Sequence, residues 1–309
     1  MKYDILKQLK ETQGYVSGET LAGSVTRAAL WKHIKAMEAD GARIEGVTGR
    51  GYRLISPPEV PRTEYVRAYM SADAQVFYKD STLSTNDDAK RAAADKSIKR
   101  AVFIASEQTA GRGRKGRVWT SPPGGLYMTF LARPDIEAES VPGFTLMAAV
   151  KTCEAVESVA PVKVTIKWPN DVLLGGKKLA GILTESMIGM DGVDYIVCGI
   201  GVNVLPPKDE FKNTACHIAV GRMLLAAAVI DRFFEGCDEF ARSGLAPFMN
   251  DFRSRSMLSG EVTVSSPAGS ETGTFLGFDD SGALLLDCAG KKKRFVAGEV
   301  TLRGGGLYV

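Results

Sequence analysis

Apolar positions recur with different rhythms in three stretches of the chain. Near the N-terminus, Ile5, Leu6 and Leu9 mark one face of a first helix. Val16-Ser17-Gly18-Glu19-Thr20-Leu21 predicts a turn and a short second helix. Thr26 is placed to cap a third helix over Arg27 to Asp40, with Gly41 closing it in the C′ position. Leu30, Ile34 and Met37 fall at i, i+4 and i+7 and face the core, which leaves Arg27, Trp31, Lys32 and Lys35 outside. Two strand-like runs in RIEGVTGRGYRLI flank Gly49-Arg50-Gly51 and predict a projecting hairpin. Pro57-Pro58-Glu59-Val60-Pro61 then reads as a linker. From Arg62 to Ser256 helical and strand patterns alternate with glycine-rich turns. From Met257 onward EVTVSS, ETGTFLGF, ALLLDC and KRFVAG read as short strands of a small β-barrel. The expected architecture is α+β, with domains over 1–60, 61–256 and 257–309.

Three helices followed by a basic-tipped hairpin describe a winged helix-turn-helix. Cations on its outer helix and wing can neutralise phosphates and seat the helix in a major groove. A plainly solvated helix face gives the same pattern, and the first 59 residues carry only nine Lys/Arg against seven Asp/Glu.

Composition narrows the class. Across 309 residues, 45% are apolar and 24% charged, as in a globular protein, and a net charge of +3 leaves any nucleic-acid binding to a local patch. The five cysteines are scattered without a CxxC pair or neighbouring histidine, which argues against a zinc site and against a disulfide framework. Cys198, in YIVCGIG, reads as a small core residue. MKYDILKQLKE lacks a signal-peptide core, and the longest apolar run, Met223 to Ile230, is far short of a membrane span. A cytoplasmic enzyme without membrane contact is expected.

The sharpest motif is Gly111-Arg112-Gly113-Arg114-Lys115-Gly116-Arg117-Val118-Trp119. It satisfies G-x-G-x-x-G after the strand-like AVFIASE, but Thr120-Ser121-Pro122-Pro123-Gly124-Gly125 follows, where no helix can start. A dinucleotide fingerprint needs that helix to receive the pyrophosphate, so this reading fails. What remains is a loop of four cations among three glycines, suited to anions because glycine admits them to the backbone and arginine grips them with two hydrogen bonds. A solvated basic loop or a nucleic-acid contact fits the run equally well.

A second cluster favours the anion site. Lys163 to Leu174 gives a strand, the polar turn Trp168-Pro169-Asn170-Asp171 and another strand. Gly175-Gly176 turns the chain into Lys177-Lys178-Leu179-Ala180-Gly181-Ile182-Leu183-Thr184-Glu185. Lys178 stands at the entrance of that apolar strand, where partial desolvation strengthens its charge. Asn170 and Asp171 are also common turn residues. Tyr195 to Val204 alternates small and apolar residues, a central strand along which a flat ligand can lie against bare glycine. In Ser81-Thr82-Leu83-Ser84-Thr85-Asn86, Ser84 or Thr85 caps a helix continuing through Ala94. Three adjacent hydrogen-bonding side chains also suit a neutral amide or ureido ring.

With GRGRKGRVW, KWPNDVLL, KKLAGILTE and GIGVNV in this order, the chain resembles the biotin–protein ligases of the bifunctional kind that also repress a biotin operon. The resemblance covers essentially the whole chain, and TRAALWKHI and GRGYRL match the DNA-binding segment. It implies a mixed α/β catalytic domain and an SH3-like C-terminal barrel. It also implies ATP, Mg²⁺ and biotin as reactants, with biotinyl-5′-AMP as the intermediate. Carried over by position, biotin meets Ser84, Thr85, Asn86, Gln108, Arg112, Gly113, Arg114 and Lys178, and the nucleotide meets Trp119, Asn170, Asn203 and Arg303. Lys178, Arg112 and Arg114 would carry the chemistry, with Asp171 positioning or deprotonating the acceptor lysine. Arg27, Trp31, Lys32, Lys35 and Arg50 would face DNA. The implied partners are a biotin carboxyl carrier protein, operator DNA and a second copy of the chain once adenylate is bound. TLAGSV is shorter than the corresponding stretch of the resembled family and predicts a short second helix. The competing readings are a lipoate–protein ligase and a biotin-sensing regulator without transfer activity.

Overall fold

The computed structural model describes residues 1–302 apart from 191, 207, 267 and 268. The first domain holds α1 (Lys2–Glu11), α2 (Gly18–Ala22), α3 (Arg27–Ala39), β1 (Arg43–Val47) and β2 (Gly51–Ser56). The predicted cap of α3 forms, with Thr26 Oγ1 accepting from Ala29 N at 3.2 Å, and Ser17 Oγ caps α2 by accepting from Thr20 N at 3.0 Å. Gly41 follows α3 at φ 97°, the left-handed position that ends a helix. Ile5, Leu6, Leu9, Leu30, Ile34 and Met37 are buried together. The antiparallel wing β1–β2 is held against the helices by Val16, which exchanges two hydrogen bonds with Tyr52. Gly51 (φ 101°) makes this approach possible, because a Cβ there would collide with the Val16 carbonyl.

This domain is fastened to the next by Asp40 at the C-cap of α3. Its carboxylate accepts from Arg62 Nε at 2.9 Å and from Tyr65 Oη at 2.8 Å. Tyr65 is fully buried in α4 (Thr63–Tyr69), and burial together with Asp40 pushes its phenol well above the usual range.

The central sheet has seven strands in the order β3 (Gln75–Lys79), β4 (Arg100–Ala105), β5 (Leu126–Ala132), β9 (Gly192–Val202), β8 (Lys177–Gly189), β7 (Asp171–Leu174) and β6 (Thr165–Lys167). Only the β3–β4 pair is parallel. Period-two alternation gives the sheet two unlike faces. Val102, Ile104, Met128, Phe130, Ile182, Ile196 and Ile200 point to the face covered by α6 (Val141–Val159) and α7 (Arg222–Ser243), where Phe130 stacks on Phe233 at 4.0 Å. On the other face, α5 (Thr85–Ala92) packs against Ala101, Phe103, Leu131 and Val197. The rest of that face, around Gly181, Gly199 and Gly201, is left to a cleft.

After α8 (Met249–Arg255), strands β10 (Glu261–Ser266), β11 (Gly269–Phe278), β12 (Leu284–Cys288), β13 (Lys291–Phe295) and β14 (Glu299–Leu302) form an antiparallel sheet ordered β13-β12-β11-β10-β14. Among the described residues β13 and β14 are not paired, so the expected barrel is a strand-rich SH3-like sheet without hydrogen-bonded closure. Trp168 Nε1, in the turn between β6 and β7, donates to Gly282 O at 3.0 Å, tying this unit to the central sheet.

Two local expectations are corrected. The α5 helix ends at Ala92, two residues before the predicted Ala94, where Arg133 Nη2 takes the Ala93 carbonyl at 2.6 Å. Ser84 holds the N-cap position of that helix, but its hydroxyl makes no capping bond. All five cysteines are free thiols, and Cys198 is buried as expected, with burial pushing it up to about 12.

Candidate active site

The uncovered half of the sheet floors a cleft of about 570 Å³. Ser84, Thr85, Asn86, Gln108, Arg112, Gly113, Arg114, Trp119, Asn170, Asp171, Lys178 and Asn203 all line it. Arg303 lies outside the described residues.

At one end the start of α5 meets β5. Gln108 Oε1 accepts from Thr85 N at 2.9 Å and Thr85 Oγ1 at 3.0 Å, and its amide donates to Ser121 Oγ at 3.0 Å. The Thr129 hydroxyl, fully buried, reaches Thr85 Oγ1 at 2.8 Å and Asn86 Oδ1 at 2.6 Å. Asn86 Nδ2 donates to Glu185 Oε2 at 2.9 Å, and Lys90 holds the other oxygen at 2.6 Å. Burial pushes the Glu185 carboxyl up, but the Lys90 and Asn86 hydrogen bonds outweigh it and hold it below the usual range. The side chains that this end presents to the cleft, Ser84, Thr85, Asn86 and Gln108, are neutral hydrogen-bonding groups. Thr129 and Ser121 were not anticipated, although a single polar residue inside LYMTFLA is a visible signal.

The cationic loop arches over the middle. Arg112 pairs with Asp87 on α5, Arg114 Nη1 donates to Asn170 Oδ1 at 2.8 Å, and Arg117 reaches Glu299 of β14 at 2.7 Å. Lys115 completes this contact with Glu299 at 3.9 Å. Asn170 is itself fixed by donating to Ile182 O at 3.0 Å. Burial lowers the Arg114 pKa against the opposing pull of Asp171 and Glu299. Lys178 Nζ stands 2.7 Å from Asp171 Oδ1 and 5.1 Å over the Trp119 ring. Asn203 Nδ2 braces the Lys178 carbonyl at 3.1 Å.

The glycines of the floor are not bare, contrary to expectation. The Trp119 indole lies on Gly181 and Gly201, where added Cβ atoms would come within 2.8 and 2.7 Å of it, and the Asn86 amide covers Gly199. Glycine is required here for the close approach of these side chains. Trp119 Nε1 is buried and has no hydrogen-bond partner among the described residues.

On the far domain, Arg27, Trp31, Lys32, Lys35 and Arg50 are all exposed, Trp31 by 54%. Lys35 pairs with Glu38 at 2.7 Å, and Arg50 lies over the Tyr15 ring at 6.0 Å. Among the described residues no group of three or more His, Cys, Asp or Glu is placed to hold a metal ion, and no helix is long and apolar enough to cross a membrane.

Comparison with known proteins assigns each region. Residues 79–203 match the biotin/lipoate A/B protein ligase family, residues 2–53 an HTH domain and residues 261–303 the biotin protein ligase C terminal domain. The bifunctional ligase/repressor BirA of Bacillus spizizenii is 32% identical over 305 residues, covering 93% of this chain and 94% of the relative. BirA of Escherichia coli is 29% identical, covering 93% and 91%. Biotin protein ligase from Aquifex aeolicus, solved with biotin and ATP, superposes with a TM-score of 0.64 at 28% identity, covering 75% of this chain and 99% of that one. Fold and site together define a protein ligase fused to a DNA-binding domain. The chain belongs to the bifunctional biotin ligase/repressor family.

Proposed function

We propose that the cleft joins biotin to ATP and passes the biotinyl group to a lysine of a biotin carboxyl carrier protein. The observation that carries this reading is the meeting of a neutral hydrogen-bonding pocket and a cluster of cations in one cleft. Ser84, Thr85, Asn86 and Gln108 take the ureido ring, whose N–H and C=O groups match hydroxyl and amide partners. Adenylation brings the biotin carboxylate to the α-phosphate of ATP, forming a C–O–P linkage as pyrophosphate leaves. Lys178, Arg112 and Arg114 offset the repulsion of these anions and the charge that grows in the transition state, and Mg²⁺ brought with the nucleotide would supply further positive charge there. Gly113 lets the loop fold closely over the ligand. Trp119, Asn170 and Asn203 are assigned to the nucleotide, as is Arg303.

The adenylate is a mixed anhydride, and the loop shields it from water until the acceptor arrives. Asp171 then takes the proton of the acceptor ammonium, the neutral amine attacks the acyl carbon, and AMP leaves. Arg27, Trp31, Lys32, Lys35 and Arg50 contact operator DNA, with two copies of the adenylate-bound chain reading two half-sites. A cytoplasmic location belongs to the same proposal.

Incubation with biotin, MgATP and a carrier domain, followed by streptavidin detection, tests the ligase reading. ATP-dependent labelling that collapses in Lys178→Ala is expected. A carrier labelled by lipoate instead supports a lipoate ligase. No labelling, with a biotin-dependent mobility shift of promoter DNA, supports a sensor without transfer activity.

A further inference from the structure

Lys167, at the end of β6, has no role in the scheme above, yet it is only 9% exposed and lines the same cleft. It sits directly across the β6–β7 pair from Asp171. Burial lowers its pKa, the charge of Asp171 acts against that, and the like charge of Lys178 adds to it. Asp171 therefore stands between two lysines, with Lys178 at 2.7 Å on the β8 side and Lys167 on the β6 side. The other charges felt here are Arg114 and Arg117 from the loop and Glu299 from β14.

One carboxylate shared by two lysines has a consequence for a two-step reaction. In the first step Lys178 is drawn to the ligand carboxylate and the α-phosphate. A buried carboxylate abandoned by its cation is strongly destabilised, and it escapes that penalty by taking up a proton or shifting position. Either response disables Asp171 for the second step. A second cation that stays in place removes the conflict.

We propose that Lys167 is a positioning residue, a reserve counter-ion that keeps Asp171 charged and in register while Lys178 serves the adenylate. The proposal rests on the reading that Lys178 acts in adenylation and Asp171 in transfer. In the second step Asp171 accepts a proton from the acceptor ammonium, the freed nitrogen lone pair forms the amide bond, and the acyl–oxygen bond to AMP breaks with its electron pair leaving on the phosphate. Lys167 takes no part in these bonds and acts through Asp171.

The test compares the two half-reactions in the full-length chain. Biotin-dependent exchange of labelled pyrophosphate into ATP reports adenylation, and single-turnover labelling of a carrier domain from preformed biotinyl-5′-AMP reports transfer. In Lys167→Met the ratio of transfer to exchange is expected to fall about tenfold to hundredfold, at most the lower end of the effect of losing a general base outright. Lys167→Arg, which keeps the charge, should restore most of that ratio. An unchanged ratio in Lys167→Met overturns the proposal, as does a failure of Lys167→Arg to recover it when its melting temperature equals that of the parent. Should Lys167→Met not fold, Lys167→Gln is judged by the same ratio. The underlying reading is tested separately: normal transfer by Asp171→Asn, or normal exchange by Lys178→Met, defeats that reading itself. Lost transfer in Asp171→Asn with normal transfer in Lys167→Met defeats only the role given to Lys167.

Discussion

The cleft and the outer face of α3 both display cations, but they hold them differently. In the cleft each named cation has a fixed protein acceptor: Asp87 for Arg112, Asn170 for Arg114, Glu299 for Arg117 and Asp171 for Lys178. On α3, Arg27, Lys32 and Lys35 are exposed, with Lys35 paired to Glu38 and lying over the Trp31 ring. Arg112 and Arg117 are exposed, but Arg114 and Lys178 are partly buried, and a preorganised, partly desolvated charge acts strongly because water screens it less and little reorganisation is needed. Exposed charges act weakly and additively, through release of counter-ions from DNA. One chain thus carries cations in two settings, partly buried at Arg114 and Lys178 and solvent-exposed on α3.

The comparison breaks most readily at Arg114. Arg114→Ala removes a half-buried cation and the clamp on Asn170, and carrier labelling should fall about hundredfold, within the range for losing one preorganised donor. A loss below threefold would place Arg114 in the screened regime with α3. A smaller effect is expected at the neutral end. Thr129→Val removes the hydroxyl linking Thr85 and Asn86, and the KM for biotin should rise about tenfold, the equivalent of one buried hydrogen bond. An unchanged KM would show that the pocket does not depend on this link. On α3, Lys32→Ala should weaken DNA binding only a few-fold, alike on all sequences, and reduce the slope of log affinity against log salt by about one unit. A sequence-selective loss would reveal a base contact. The smallest effect falls on the cap of the same helix: Thr26→Ala should cost about 1 kcal/mol of stability in denaturant unfolding, with carrier labelling retained.

Legibility in the sequence divides along the same line. The first domain is readable because caps, periodicity and turn glycines are local signals: Thr26, Gly41 and the Leu30–Ile34–Met37 stripe sit at their expected places. The polar stretch Ser84-Thr85-Asn86 and the cationic loop were readable as chemistry, and their meeting in one cleft was carried by the resemblance. Trp119 lying on Gly181 and Gly201 was not readable, because it joins residues far apart in the chain. Lys167 and Glu299 look like ordinary strand-end charges until the fold buries one and sets the other beside the loop. β14 escaped notice because four residues leave too little alternation to distinguish a strand from a tail.

On the proposed scheme, the partly buried cations of the cleft, Lys178 foremost, drive the joining of biotin to ATP. The most direct test is biotin-dependent exchange of labelled pyrophosphate into ATP, measured for the parent chain and for Lys178→Met under saturating biotin. The account predicts brisk exchange in the parent and a fall of about a hundredfold to a thousandfold in the variant. Exchange in Lys178→Met at the parental rate would contradict it.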